Sequence, residues 1–247
     1  MAQADLDLSI IVPAYNEAER IPQTLKRLRE YFSGQSCSYE IIVVLDGPSD
    51  STRDVLKGMS GETEQFRCVD RTENRGKGFT VKEGMLKALG HVRLFTDADN
   101  STDIAHFDMM RTLFDKGYDV VIASRNPHDV PGAQETVPQA WTKRILGRIG
   151  NLFVQLLAVR GIWDTQCGFK AFRAEAAERI FSLTEIEGWG FDIEVLALAR
   201  ALNFKVGIIP AHWVNDDRSH VRWLDYLGVL ADTIRVRYNL AAGKYKL

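Results

Sequence analysis

A chain of 247 residues, 45% hydrophobic and 26% charged, carries enough apolar material for the core of one large α/β domain. Its formal net charge of −2 argues against a general nucleic-acid binder, which would show a basic excess, and leaves any anionic ligand to local groups. Cys37, Cys68 and Cys167 lack metal-ligand spacing and read as reduced thiols, while neither a signal-peptide core nor an apolar run of membrane-spanning length is present, so a cytoplasmic protein is expected.

The elements alternate in the first half. Leu8 to Pro13 is a short β-branched strand, and Glu17 to Phe32 places Ile21, Leu25, Leu28 and Phe32 on one helical face with Asn16 as a cap. Tyr39 to Leu45 and Phe66 to Asp70 read as strands, Val81 to Leu89 as helix, His91 to Thr96 as strand, Ile104 to Lys116 as helix and Tyr118 to Ser124 as strand. Strands separated by helices imply right-handed βαβ units and a mostly parallel sheet. Asn126 to Pro138 is expected to be a loop, followed by a helix from Thr142 to Val159 and a turn-rich insert. A helix over Phe191 to Leu202, a strand over Val206 to Pro210 and a C-terminal helical region complete the chain, as an elaboration of one domain.

In an open parallel sheet, ligands sit beyond the carboxyl ends of the strands. Tyr15, Asp46, Asp97 and Asp99 fall at such ends. Carboxylates at i and i+2 after a strand, as in Asp97-Ala98-Asp99, suit Mg²⁺ or Mn²⁺, ions that take their remaining ligands from substrate phosphates and water. Gly76-Lys77-Gly78 lacks the third glycine of a dinucleotide fingerprint and no Walker-type loop occurs, which removes most support for hydride transfer and P-loop chemistry.

Ile10-Ile11-Val12-Pro13-Ala14-Tyr15-Asn16-Glu17, Val43-Val44-Leu45-Asp46-Gly47, Asn74-Arg75-Gly76-Lys77-Gly78 and Asp97-Ala98-Asp99 follow one another as in the family 2 glycosyltransferases, which the chain resembles from about Leu8 to Tyr238. Asp164-Thr165-Gln166-Cys167-Gly168-Phe169-Lys170 and Trp189-Gly190-Phe191-Asp192-Ile193-Glu194 narrow the resemblance to the branch of dolichyl-phosphate glucosyltransferases and mannose synthases. That resemblance implies a GT-A fold, a Rossmann-like, mostly parallel sheet flanked by helices, with a C-terminal helical elaboration. Residues 1–125 would form the nucleotide-sugar half and residues 126–247 the acceptor half. It implies that Pro13, Tyr15 and Glu17 line the base and ribose pocket, that Asp46 bonds the base, and that Arg75 and Lys77 lie near the nucleotide. Asp99, and less directly Asp97, would carry the metal; Ser124 and Arg125 would face the acceptor, with Lys170 and Arg173 supporting its phosphate. Two departures stand out: Leu45-Asp46 replaces two adjacent Asp, and Ser101 occupies a position where the mannose synthases place a metal-holding Gln.

Sugar transfer leaves negative charge on a departing diphosphate, which a divalent ion and nearby cations stabilise. A hydroxyl acceptor also needs a base, for which Asp192 or Glu194 is the candidate. A phosphate acceptor is already anionic and needs Arg and Lys instead. The expectation is an inverting, metal-dependent hexosyltransferase, with Asp99, Arg125 and Asp192 as its catalytic residues. It would move glucose from UDP-glucose to a polyprenyl phosphate at the cytoplasmic membrane face. A soluble transferase for hydroxyl acceptors, a GDP-mannose-using enzyme and a silent nucleotide-sugar binder are the alternatives. Two apolar stripes edged by basic residues suit peripheral membrane contact: Ile145, Ile149, Leu152, Phe153 and Leu156 with Lys143, Arg144 and Arg148, and Trp223, Leu224, Leu227, Leu230 and Ile234 with Arg222, Arg235 and Arg237.

Overall fold

The computed structural model describes residues 6–59, 65–135, 150–213 and 223–247. In chain order these form β1 (Leu8–Ala14), α1 (Ile21–Ser33), β2 (Tyr39–Leu45), α2 (Thr52–Met59), β3 (Phe66–Val69) and α3 (Lys77–Lys87). There follow β4 (Val92–Thr96), a 3-10 turn (Ile104–His106), α4 (Phe107–Asp115), β5 (Val120–Ser124), β6 (Gln134–Glu135) and α5, helical over residues 150–157. The last elements are β7 (Phe169–Arg173), α6 (Ala174–Leu183), α7 (Phe191–Ala201), β8 (Val206–Pro210), β9 (His212–Trp213) and α8 (Trp223–Ala241).

Seven strands make one sheet in the order β3-β2-β1-β4-β7-β5-β8, and β6 pairs with β9 beside it. All neighbours in the large sheet are parallel except β7, which runs antiparallel between β4 and β5. Period-2 alternation sorts the strand residues to two faces. Ile11, Ile42, Val44, Val120 and Ile122 pack on one side with residues of α3, α6 and α7. Ile10, Val12, Ile41, Val43, Val121 and Ala123 pack on the other with residues of α1 and α4. Both faces are covered, so Ile10–Val12, Ile41–Leu45 and Val120–Ala123 run apolar without alternation, as buried parallel strands do. The chain steps outward from β1 to β3 and returns to β4 on the far side of β1, which puts the switch point of the sheet at the carboxyl ends of β1 and β4.

The parallel strands and flanking helices agree with expectation, with three differences. Helix α1 starts at Ile21, where Pro22 suits the first turn, and Asn16 does not cap it. Asn16 takes positive φ (56°) and its side-chain oxygen accepts from the backbone N–H of Ser49 at 2.8 Å, joining the two loops after β1 and β2. Helices α2 and α6 and strand β7 were not expected; β7 and α6 occupy what reads as a turn-rich insert. The expected loop from Asn126 contains β6, while residues 136–138 lie outside the described residues, as do Lys143, Arg144, Ile145, Arg148, Ile149 and Arg222.

Candidate functional site

Charged side chains converge at the carboxyl ends of β1 and β4 and on the loops opposite. Asp97 and Asp99 leave the end of β4, and Asp99 Oδ1 accepts from the Ser101 N–H at 2.9 Å. Burial, and then the neighbouring Asp97 charge, pushes the Asp99 carboxyl above its usual range. Glu17, just beyond β1, is forked by Arg20 at 2.5 and 2.8 Å, yet burial outweighs that ion pair. With Asp99 and Asp97 adding repulsion, Glu17 is pushed up to about 7. Pro13 is half-buried in β1 and Tyr15 is 38% exposed just beyond it, at the same edge.

Lys77 answers this negative charge. Its ammonium is 2.6 Å from Asp97 Oδ1 and 5.3 Å from the centre of the Trp189 ring. Burial works against the Lys77 cation, but Asp97 and Asp192 outweigh it and raise its pKa. Two glycines make this approach possible. Gly76 precedes α3 with φ of 99°, and a Cβ there would come within 2.6 Å of the Glu187 carbonyl. Gly168 lies directly against Asp97, so any side chain would overlap the carboxylate.

Asp46 is 4% exposed and spends its oxygens on the loop before α3. It pairs with Arg71 and accepts from the backbone N–H groups of Arg75 at 2.8 Å and Gly76 at 2.9 Å. It therefore clamps the Arg71–Gly76 loop at the carboxyl end of β2. Arg75 pairs with Glu187 and stacks 3.5 Å from the Phe79 ring centre, at the outer edge of the same loop.

On the other side, Lys170 of β7 is fully buried, with its ammonium 2.6 Å from Asp192 Oδ1 and 2.6 Å from the Cys167 carbonyl oxygen. Asp192, at the start of α7, is pushed up by burial despite Lys170 and Lys77. Arg125 donates from its backbone N–H and Nε to Asp164 Oδ2, both at 2.8 Å, and from its terminal nitrogen to Oδ1 at 2.7 Å. Burial opposes the Asp164 charge, but this fork, with Lys170 beyond it, holds the carboxyl below its usual range. The charges thus alternate from Arg125 through Asp164, Lys170, Asp192 and Lys77 to Asp97.

Three expected placements are corrected. Ser124 is fully buried, and its hydroxyl donates to Asp129 at 2.7 Å and accepts from the Asn126 N–H at 3.0 Å, so it shapes a turn and does not face an acceptor. Arg173 lies at the opposite end of β7, where it bonds the carbonyls of Tyr118 at 3.0 Å and Phe114 at 2.5 Å, away from the carboxyl edge. Glu194 is fully buried and receives the backbone N–H groups of Glu185 and Ile186 and the Tyr245 hydroxyl, so it is no base. Arg71, Asp164, Gly168, Glu187 and Trp189 gain roles that residue-by-residue reading missed. Asp164, Gly168 and Trp189 lie in motifs that single them out, but only folding shows what each touches.

Among the described residues, no group of three or more His, Cys, Asp or Glu is arranged to hold a metal alone. Asp97 and Asp99 still suit a divalent ion that completes its shell with phosphate and water, because two hard carboxylates in mutual repulsion lie next to Glu17.

The family model described as Glycosyl transferase family 2 matches residues 9–181. A dolichyl-phosphate beta-glucosyltransferase of Dictyostelium discoideum is 34% identical over 97% of this chain and 76% of its own length. One of Drosophila melanogaster is 36% identical over 96% of this chain and 77% of its own length. Among solved structures, the glucosyl-3-phosphoglycerate synthase of Mycobacterium tuberculosis, in complex with Mn²⁺, UDP and phosphoglyceric acid, superposes with a TM-score of 0.65 at 18% identity. It covers 95% of this chain and 78% of that one, and the shared architecture is the GT-A fold.

Proposed function

The chain belongs to glycosyl transferase family 2, and from that premise we propose that it transfers glucose from UDP-glucose to a polyprenyl phosphate, inverting the anomeric centre. The names of its relatives support the sugar and the acceptor class. One observation in the fold favours a phosphate over a hydroxyl: both carboxylates that could serve as a base are committed, Asp192 to Lys170 and Glu194 to its hydrogen-bond cage. An acceptor that arrives as an anion has no use for either as a base.

In this reading, Pro13, Tyr15 and Glu17 border the nucleoside, and the loop clamped by Asp46 carries Arg75 and Lys77 to the diphosphate side. Asp97 and Asp99 would hold Mg²⁺ or Mn²⁺, which when bound supplies Lewis-acid stabilisation of the leaving diphosphate. Arg125, aligned by Asp164, draws the acceptor phosphate toward the anomeric carbon by charge-assisted hydrogen bonding. Lys170 acts at one remove, by fixing Asp192 at the start of α7. The two halves of one domain meet at this line of charges.

No helix among the described residues is long and apolar enough to cross a membrane. Membrane contact is proposed to be peripheral, at the cytoplasmic face. It would use Leu152 and Leu156 of α5 (51% and 73% exposed) and Leu227, Ile234 and Tyr238 of α8, with Arg235 and Arg237 beside them.

The test compares transfer of labelled glucose to a polyprenyl phosphate and to the same polyprenol without phosphate, with UDP-glucose and GDP-mannose as donors. UDP-glucose and the phosphate should be required together. Equal transfer to the polyprenol would remove the phosphate-acceptor reading, and preference for GDP-mannose would remove the sugar assignment.

A further inference from the structure

Lys77 is the first residue of α3, and its ammonium sits on the carboxylate that the metal reading assigns to a divalent ion. The side chains of Lys77 and Asp97 are 17% and 31% exposed, so the pair is partly withdrawn from water and its attraction is only partly screened. Asp97 is held in place from behind: Gly168 lies against its carboxylate, and its backbone N–H donates to the Gly168 carbonyl at 3.1 Å. Lys77 has a second carboxylate within reach in Asp192, and the Trp189 ring beside it. The ammonium therefore has alternative partners, whereas Asp97 is fixed.

We propose that Lys77 is a built-in counter-cation for Asp97, one that keeps divalent ions weakly bound until a nucleotide diphosphate draws the ammonium away. A divalent ion and an ammonium on one carboxylate repel each other at close range. A diphosphate reverses that relation, because it attracts both cations and lies where the α3 N-terminus also favours negative charge. Lys77 then exchanges Asp97 for a phosphate oxygen and remains near the leaving group. Ion and nucleotide should bind as a couple, each weakly without the other. The inference rests on the reading of Asp97 and Asp99 as the ion site and is independent of the acceptor.

The test is titration of the full chain with Mn²⁺, followed by electron paramagnetic resonance, with and without UDP. Lys77→Met should bind Mn²⁺ about tenfold more tightly than the wild type in the absence of UDP, and the gain on adding UDP should shrink by a similar factor. Lys77→Gln, which keeps a hydrogen-bond donor toward Asp97, should behave alike and covers the case in which Met is not tolerated. Lys77→Arg should retain weak binding of the free ion. If both neutral variants bind Mn²⁺ no more tightly than the wild type, the counter-cation role is wrong. Asp99→Asn separates the two ideas: Mn²⁺ binding at wild-type strength in that variant would overturn the ion site itself.

Discussion

Asp99 and Asp46 stand at strand ends of the same sheet, but their substitutions should fail in different ways. Asp99→Asn keeps the shape of the side chain and removes the charge that a divalent ion needs, so the fold should survive while turnover falls by at least about 100-fold. Excess chelator should do the same to the wild type, and undiminished turnover in chelator would exclude metal dependence. Asp46→Ala instead leaves two backbone N–H groups without their acceptor and leaves Arg71 to Glu83 and Thr80. It should cost about 3 kcal/mol of stability, as buried donors left unsatisfied do, together with weaker UDP binding. A urea midpoint equal to wild type would show that the clamp carries no load. Glu17 gives a pH signature. Its carboxyl binds a proton more tightly when folded, so stability should fall as pH rises from about 4.5 to about 7, by up to about 3 kcal/mol. Glu17→Gln should flatten that part of the profile, and urea titrations at pH 5 and pH 7.5 would read the difference.

The elements that the sequence makes plain are those whose local pattern agrees with their final surroundings. Ile10 to Val12, Ile41 to Leu45 and Val120 to Ile122 are continuous apolar runs because both faces of the sheet are covered. Strand β7 escapes such a reading. Phe-Lys-Ala-Phe-Arg carries a lysine at its second position, and the long-range partner Asp192, with the Cys167 carbonyl, makes burial of that cation tolerable. Helix α3 begins four residues earlier than its apolar spacing suggests, because Gly76-Lys77-Gly78 has poor helix propensity and is held by contacts to the loop around Glu187. The same limit governs the site. Residue types at strand ends disclose Tyr15, Asp97 and Asp99, and the family resemblance adds Glu17, but neither tells that Ser124 turns inward or that Arg173 lies at the other end of its strand. Gly168→Ala is the test at this scale. The added Cβ must displace the Asp97 carboxylate, so Mn²⁺ binding with UDP should weaken by about tenfold or more while β7 keeps its place. Unchanged binding would mean that the position of Asp97 is not set by β7.

For the whole molecule, the apolar side chains of α8 divide between two sides. Val236 packs inward, while Leu227, Ile234 and Tyr238 remain more than half exposed. Replacing these three by Ser should release the protein from anionic vesicles in sedimentation assays, with little change in thermal midpoint. Equal retention on vesicles would assign membrane contact elsewhere. The antiparallel insertion of β7 also sets an order of assembly. A growing chain can pair β1, β2, β3 and β4 early, but β5 has no place beside β4 until residues 169–173 have been made and threaded between them. Such long-range pairing carries a loop-closure cost and slows folding. The step that fills this gap also brings Gly168 against Asp97 and Lys170 into the sheet. A ribosome-bound intermediate ending before residue 169 would therefore carry the loops after β1 and β2 without the strand that sets Asp97, so on the proposed reading competence for sugar transfer arrives together with closure of the sheet.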